Sequence, residues 1–204
     1  TSALTEDGHV GEIYELTGPE LLTFRDIAQI FKDVTSRELN VVNVSTMIHR
    51  IGRLADRARI DPCVTHRLLL DQLITTLSTM IFELRPRQIS SVVWGLGKIR
   101  QQSGSGFEMI QRMEDLMLEI VRHGMQCIDT FLPQNVSNLL LGLAYLGNCS
   151  CHPFLPAIMA SQRHKFDEFK PQELSNMIWS LARLNYLDMT DVLPKAVIAA
   201  KNAL

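Results

Sequence analysis

The sequence predicts an all-α fold, an α-solenoid of about four two-helix repeats with an extra helix in front, and three observations predict it. An eleven-residue pattern occurs four times: Val44–Leu54, ISSVVWGLGKI at Ile89–Ile99, VSNLLLGLAYL at Val136–Leu146 and LSNMIWSLARL at Leu174–Leu184. The offsets are 45, 47 and 38 residues, the span of a helix pair and its connections. A recurrent start precedes the copies, with Pro86, Pro133 and Pro171 each three residues ahead. Alternating strand patterns are nearly absent, Glu12–Leu16 being the one short candidate.

Taken in order, residues 1–18 form an N-terminal extension and residues 19–204 the array. A first helix is expected over Pro19–Val34. Repeat helices are expected near 40–55, 86–100, 133–147 and 171–185. Leu39, Leu84, Phe131 and Phe169 stand five residues before the copies as apolar anchors. The prolines fit a first helical turn, where no N–H is needed and φ is already helical. Gln88, Asn135 and Glu173 follow two residues later, placed to reach back to the N-cap. Partner helices are expected near Pro62–Phe82, Phe107–Cys127, Pro153–Lys165 and Asp188–Leu204. Gln101–Gly106, with its Ser-Gly-Ser-Gly run, and Gly147–His152 read as loops.

At 100° per residue, positions one, four, five, eight and eleven of the unit form one apolar stripe. Position nine is always small (Gly52, Gly97, Ala144, Ala182) and position two is always serine (Ser45, Ser90, Ser137, Ser175). This flank would let a neighbouring helix approach closely. Position six, beside it, is His49, Trp94, Leu141 and Trp179, and the two tryptophans read as inter-helix packing residues. Positions three, seven and ten share the remaining face: Thr46, Arg50, Arg53; Ser91, Gly95, Lys98; Asn138, Gly142, Tyr145; Asn176, Ser180, Arg183. Stacking would align them into one continuous functional surface, with the small residues at position seven giving a ligand room.

Composition narrows the function classes. Hydrophobic residues make up 46% of 204, enough for a sizeable core, and a net charge of −2 gives no global basic field. Cys63, Cys127, Cys149 and Cys151 are too sparse for a secreted disulfide scaffold and read as reduced thiols. Asp71, Glu83 and Arg85 interrupt the most apolar stretch, so no membrane association is expected.

The run FKPQELSNMIWSLARLNY, Phe169 to Tyr186, resembles the helix of octotricopeptide-type repeats and the related heptatricopeptide and FAST-kinase-like, RAP-associated repeats. LNVVNVSTMIHRIGRLA, Leu39 to Ala55, is similar to the way such arrays open. The resemblance covers the chain from about Gly18 onward, although the first two offsets exceed the family's usual unit. It implies a helical array in mitochondria, or alternatively chloroplasts, that binds single-stranded or structured RNA. Members act in RNA stabilisation, maturation or translation, and some are subunits of organellar ribosomes contacting rRNA. Gly8–Leu39 is also similar to the late part of NmrA-like NAD(P)-binding proteins, but no Gly-x-Gly-x-x-Gly turn follows a strand anywhere, so no dinucleotide role is expected.

On this reading the expected RNA contacts are Arg50, Arg53, Arg85, Arg87, Lys98, Arg100, Tyr145, Lys170 and Arg183, the cations for phosphates and the tyrosine for a base. Lys98 and Arg100 belong to Leu84–Arg100, the most basic local patch, which has no acid within it. Ribonucleoprotein or ribosomal neighbours are the expected protein partners. The alternative is a scaffold that clasps a protein partner, since repeat surfaces serve either purpose. Cys149-Ser150-Cys151-His152 crowds three donors into four residues and lacks a second pair, so no metal is expected. The sequons at Asn43, Asn135 and Asn148 read as coincidence. The histidines His9, His66, His123, His152 and His164 show no nucleophile or orienting partner in their local sequence, so neither catalysis nor a cofactor or small-molecule substrate is expected.

Overall fold

Asn40 opens the first described helix by accepting a hydrogen bond from the Asn43 N–H at 2.9 Å. That helix, α1, runs Val41–Ala58 and closes on Arg59 in the left-handed region, φ 50°. The computed structural model describes residues 39–59, 61–62, 67–103, 107–147, 153–186, 193–194 and 197–198. The remaining helices of seven or more residues are α2 Arg67–Thr79, α3 Pro86–Gln102, α4 Phe107–Met125, α5 Pro133–Leu146, α6 Leu155–Gln162 and α7 Pro171–Arg183. Among the described residues the fold is all-α. The expected Pro19–Val34 helix, the Glu12–Leu16 strand and residues 8–38 of the NAD(P)-like segment lie outside the described residues, as does most of Asp188–Leu204.

The repeat helices α1, α3, α5 and α7 begin within about two residues of their expected starts. Pro86, Pro133 and Pro171 each occupy the first turn, behind an extended residue: Arg85, Leu132 or Lys170. Asn135 Oδ1 accepts from the Leu132 N–H at 3.1 Å, and Glu173 Oε2 accepts from the Lys170 N–H at 2.9 Å. Gln88 departs from the expectation: its Oε1 is buried without a hydrogen-bond partner. Helix α3 also extends to Gln102, beyond the loop start expected at Gln101. At the far end of α7, Asn185 takes φ 52° and the Tyr186 N–H returns to the Leu181 carbonyl, closing the helix.

A single 3-10 turn precedes each of α3, α5 and α7, at Ile81–Glu83, Ile128–Thr130 and Phe166–Glu168. Its first residue is buried, and so is the anchor three positions on: Leu84, Phe131 or Phe169. Three residues per turn puts both on the same side. The pairs Ile81/Leu84, Ile128/Phe131 and Phe166/Phe169 carry this signal in the sequence.

The repeat helices pack in a row, α1 on α3, α3 on α5 and α5 on α7. Their direction is parallel. Asn135 at the start of α5 donates to Ser90 at the start of α3 (3.4 Å), while Lys98 near the end of α3 lies over Tyr145 near the end of α5. The second row comprises α2, against α1 and α4, and α4, against α3; α6 packs on the turn at 128–130. Between the rows lies the core, with Ile89, Val92, Val93, Leu96 and Ile99 fully buried on α3. Each such side chain contributes about 1.5–3 kcal/mol on burial, against at most about 1 kcal/mol for an exposed ion pair. The apolar stripe therefore sets how the helices sit.

The junctions within the row correct one expectation. Position nine meets the next helix as anticipated, but it meets position seven, which is therefore not part of a free surface. A methyl group on Gly52 would stand 2.5 Å from the Gly95 carbonyl oxygen, and one on Gly142 2.5 Å from that of Val93. Gly97 faces the Gly142 backbone in the same way. Position seven is small in the second, third and fourth copies because each receives a preceding helix there, and Gly95, Gly142 and Ser180 are all buried. In α7, the last repeat helix described, the other flank is open: Ser175 and Ala182 are exposed, whereas Ser137 and Ala144 are buried.

Candidate nucleic-acid interface

With positions nine and seven facing neighbouring helices, and the apolar stripe facing the second row, the outward face consists of positions three, six and ten. Position six takes the place expected for position seven. The row's parallel stacking brings these side chains into one line across four helices.

His49 of α1 lies against Trp94 of α3, ring centroids 4.6 Å apart. Lys98, one turn beyond Trp94, places its Nζ 5.9 Å from that ring and 4.0 Å from the ring of Tyr145 on α5. Tyr145 in turn meets Trp179 of α7 at 5.6 Å, and the Arg183 guanidinium lies 5.5 Å from Trp179. A cation over an aromatic face is attracted by the ring quadrupole, by about 0.5–2 kcal/mol. The result is a continuous ladder from His49 to Arg183 in which two ring pairs, each bridging two helices, are each followed by a cation. The tryptophans do bridge neighbouring helices, as expected, but from the outward face: Trp94 is half-buried and Trp179 is 44% exposed.

The ladder is not uniform in charge. Lys98 is buried, and its Nζ pairs with Asp56 at 3.0 Å and donates to Gln101 Oε1 at 3.3 Å. Burial holds the His49 pKa below its ordinary value; Arg53 and Arg50 lower it further, against a hydrogen bond to the Ser91 backbone that raises it. His49 is therefore neutral near pH 7. Arg183 anchors its Nε on the Ala144 carbonyl at 2.9 Å and is otherwise exposed.

The nine residues expected to contact RNA divide into four groups. Arg53, Lys98, Tyr145 and Arg183 stand on the outward face at position ten. Arg85, Arg87 and Lys170 are exposed at the starts of α3 and α7. Cations there oppose the helix dipole, at a cost of about 0.3–1 kcal/mol each, so local helix stability does not account for them. Arg100 leaves the outward face altogether: its Nε is 3.7 Å from Glu114 of α4, in the second row. Arg50 sits half-buried at position seven, on the side that receives a neighbour. The basic patch Leu84–Arg100 is thus split, with Arg85 and Arg87 open, Lys98 neutralised and Arg100 turned inward. Sequence reasoning missed His49, Trp94 and Trp179 as members of the face. The signal was present in position six lying only 40° from position ten on the helical wheel.

Among the described residues there is no group of three or more metal-ligating side chains, and no helix is long and apolar enough to cross a membrane. The Cys149–His152 cluster and Cys63 lie outside the described residues. Cys127 is a free, half-buried thiol whose Sγ donates to the Gly124 carbonyl at 3.5 Å. Comparison with protein-family models, curated proteins and solved structures gives no match.

Proposed function

We propose that this chain is a non-catalytic RNA-binding α-solenoid of the octotricopeptide kind, acting in mitochondrial, or alternatively chloroplast, gene expression. One concrete form is a structural subunit of an organellar ribosome contacting rRNA. The observation that carries the proposal is the ladder of rings and cations on the outward face. Rings stack on bases and cations hold phosphates, and a repeat array delivers both in a line. The exposed cations Arg85, Arg87 and Lys170 at parallel helix starts support it, because an incoming phosphate would relieve their conflict with the helix dipoles. The resemblance of Phe169–Tyr186 and Leu39–Ala55 to organellar RNA-binding repeats points the same way. A net charge of −2 fits a protein lodged between RNA and other proteins rather than a free, tightly binding cationic one.

A second reading, a protein-interaction scaffold, is favoured by one observation. Phe82 is 85% exposed and Leu132 64% exposed, each next to the start of a repeat helix. An electrophoretic shift series over salt separates the readings. RNA held through phosphates loses affinity steeply with salt, and an Arg53→Ala, Arg87→Ala, Lys170→Ala variant lowers the log–log slope by about 0.7 for each cation removed. No shift at low salt, together with salt-independent retention of a protein partner, would overturn the RNA reading.

A further inference from the structure

The ladder differs along its length, and that difference distinguishes one end. At Trp94 one side is taken by His49 at 4.6 Å and Lys98 approaches at 5.9 Å, while the lysine charge is already met by Asp56 at 3.0 Å. At Tyr145 the ring carries Lys98 at 4.0 Å. Neither ring presents a free, charged surrounding to a ligand. Trp179 does: it is 44% exposed and braced by Tyr145, and the Arg183 guanidinium over its ring at 5.5 Å is itself exposed and, unlike Lys98, has no carboxylate partner among the described residues. The Arg183 Nε is held by the Ala144 carbonyl at 2.9 Å, and no described acceptor engages its Nη groups. A half-exposed aromatic ring fixed by packing, with an exposed guanidinium over it that is fixed by one bond and open at its other end, is arranged for a base and its adjoining phosphate.

We propose that Trp179, flanked by Tyr145 and Arg183, is a stacking platform for an unpaired nucleobase, with the Arg183 Nη groups taking the neighbouring phosphate. The inference rests on the RNA reading above and assigns to this end of the face a selectivity for single-stranded over duplex RNA. A base inside a duplex is already stacked on both sides and offers no free face.

The chain has two tryptophans, so a Trp94→Phe variant of the full protein leaves Trp179 as the fluorescent reporter. Titration with a single-stranded uridine or adenosine octamer quenches that signal, and a duplex of equal length does not. In electrophoretic shifts of the wild-type background, Trp179→Ala weakens single-strand binding by roughly 5- to 100-fold with an unchanged salt slope. Trp179→Tyr retains most of the affinity, and Arg183→Ala lowers the slope by about 0.7. Circular dichroism melts of each variant show that the fold is kept, and Trp179→Leu, which fills the space without an aromatic face, carries the same test if the alanine variant does not fold. Single-strand affinity unchanged in Trp179→Ala, or equal quenching by the duplex, overturns the platform while leaving RNA binding in place. Absence of any wild-type shift at the lowest salt overturns both.

Discussion

His49 occupies the position that Trp94, Leu141 and Trp179 hold in the other copies, and its ring is packed where an apolar side chain would be at ease. Its Nδ1 is buried without a hydrogen-bond partner. Because burial lowers its pKa in the folded chain, the unfolded chain takes up the proton first as pH falls. Stability is therefore lost from about pH 6.5 downward and the loss levels off below the lowered native value. Replacing it with leucine, the residue of the third copy, removes this contribution. Thermal melts at about pH 7.5 and about pH 5.5 are expected to show a larger acid loss for wild type than for His49→Leu. Equal losses in the two proteins would contradict the buried neutral histidine. Lys98 follows a related logic: its position-ten register suits a phosphate, but its charge is occupied by Asp56, thirteen positions into the preceding unit. A charge partner that far away in sequence leaves no local trace.

At the scale of the helix, the decisive contacts are those of backbone on backbone. Glycine inside a helix normally loses about 1 kcal/mol to alanine, so Gly142→Ala would stabilise an isolated α5. In the row the new methyl group meets the Val93 carbonyl oxygen and the Trp94 backbone nitrogen, neither of which can rotate aside. Forcing α3 and α5 apart costs about 1–3 kcal/mol, so the net effect expected is a lower urea midpoint. Ala182→Val, on the open flank of α7, is the matched control and should stay within about 0.5 kcal/mol of wild type. A Gly142→Ala protein as stable as wild type would show that α3 and α5 do not approach this closely. The helices themselves were legible: proline starts, apolar stripe and small position nine each imply a local requirement that the structure meets. Position seven was misassigned because smallness reads the same whether it admits a ligand or another helix. Its first-copy exception, Arg50, was the available clue.

Across the whole molecule, stability is passed between neighbours along the row. Among the described residues, helix α3 packs on α1 and α5 within its row and on α4 in the second, whereas α7 packs on α5 and leaves Ser175 and Ala182 exposed. In an array of nearest-neighbour contacts, the interior units open least often. Hydrogen-exchange mass spectrometry should accordingly find the slowest exchange in α3 and α5 and faster exchange in α7. Uniform protection across all three would mean that the row opens only as a single unit.

The sequence alone determined the helical class, the starts of the repeat helices and the stripe that each buries, because periodicity, caps and glycine or proline placement act within a few residues. It also placed Arg53, Lys98, Tyr145 and Arg183 on one register of the unit. Only the tertiary structure decided which side of that register stays outside. Helix-on-helix approach consumed position seven, put His49, Trp94 and Trp179 on the outward face in its place, and drew Arg100 to Glu114. Each of those outcomes depends on atoms brought together from about ten to fifty residues apart in the chain, and such contacts exist only after the row has formed.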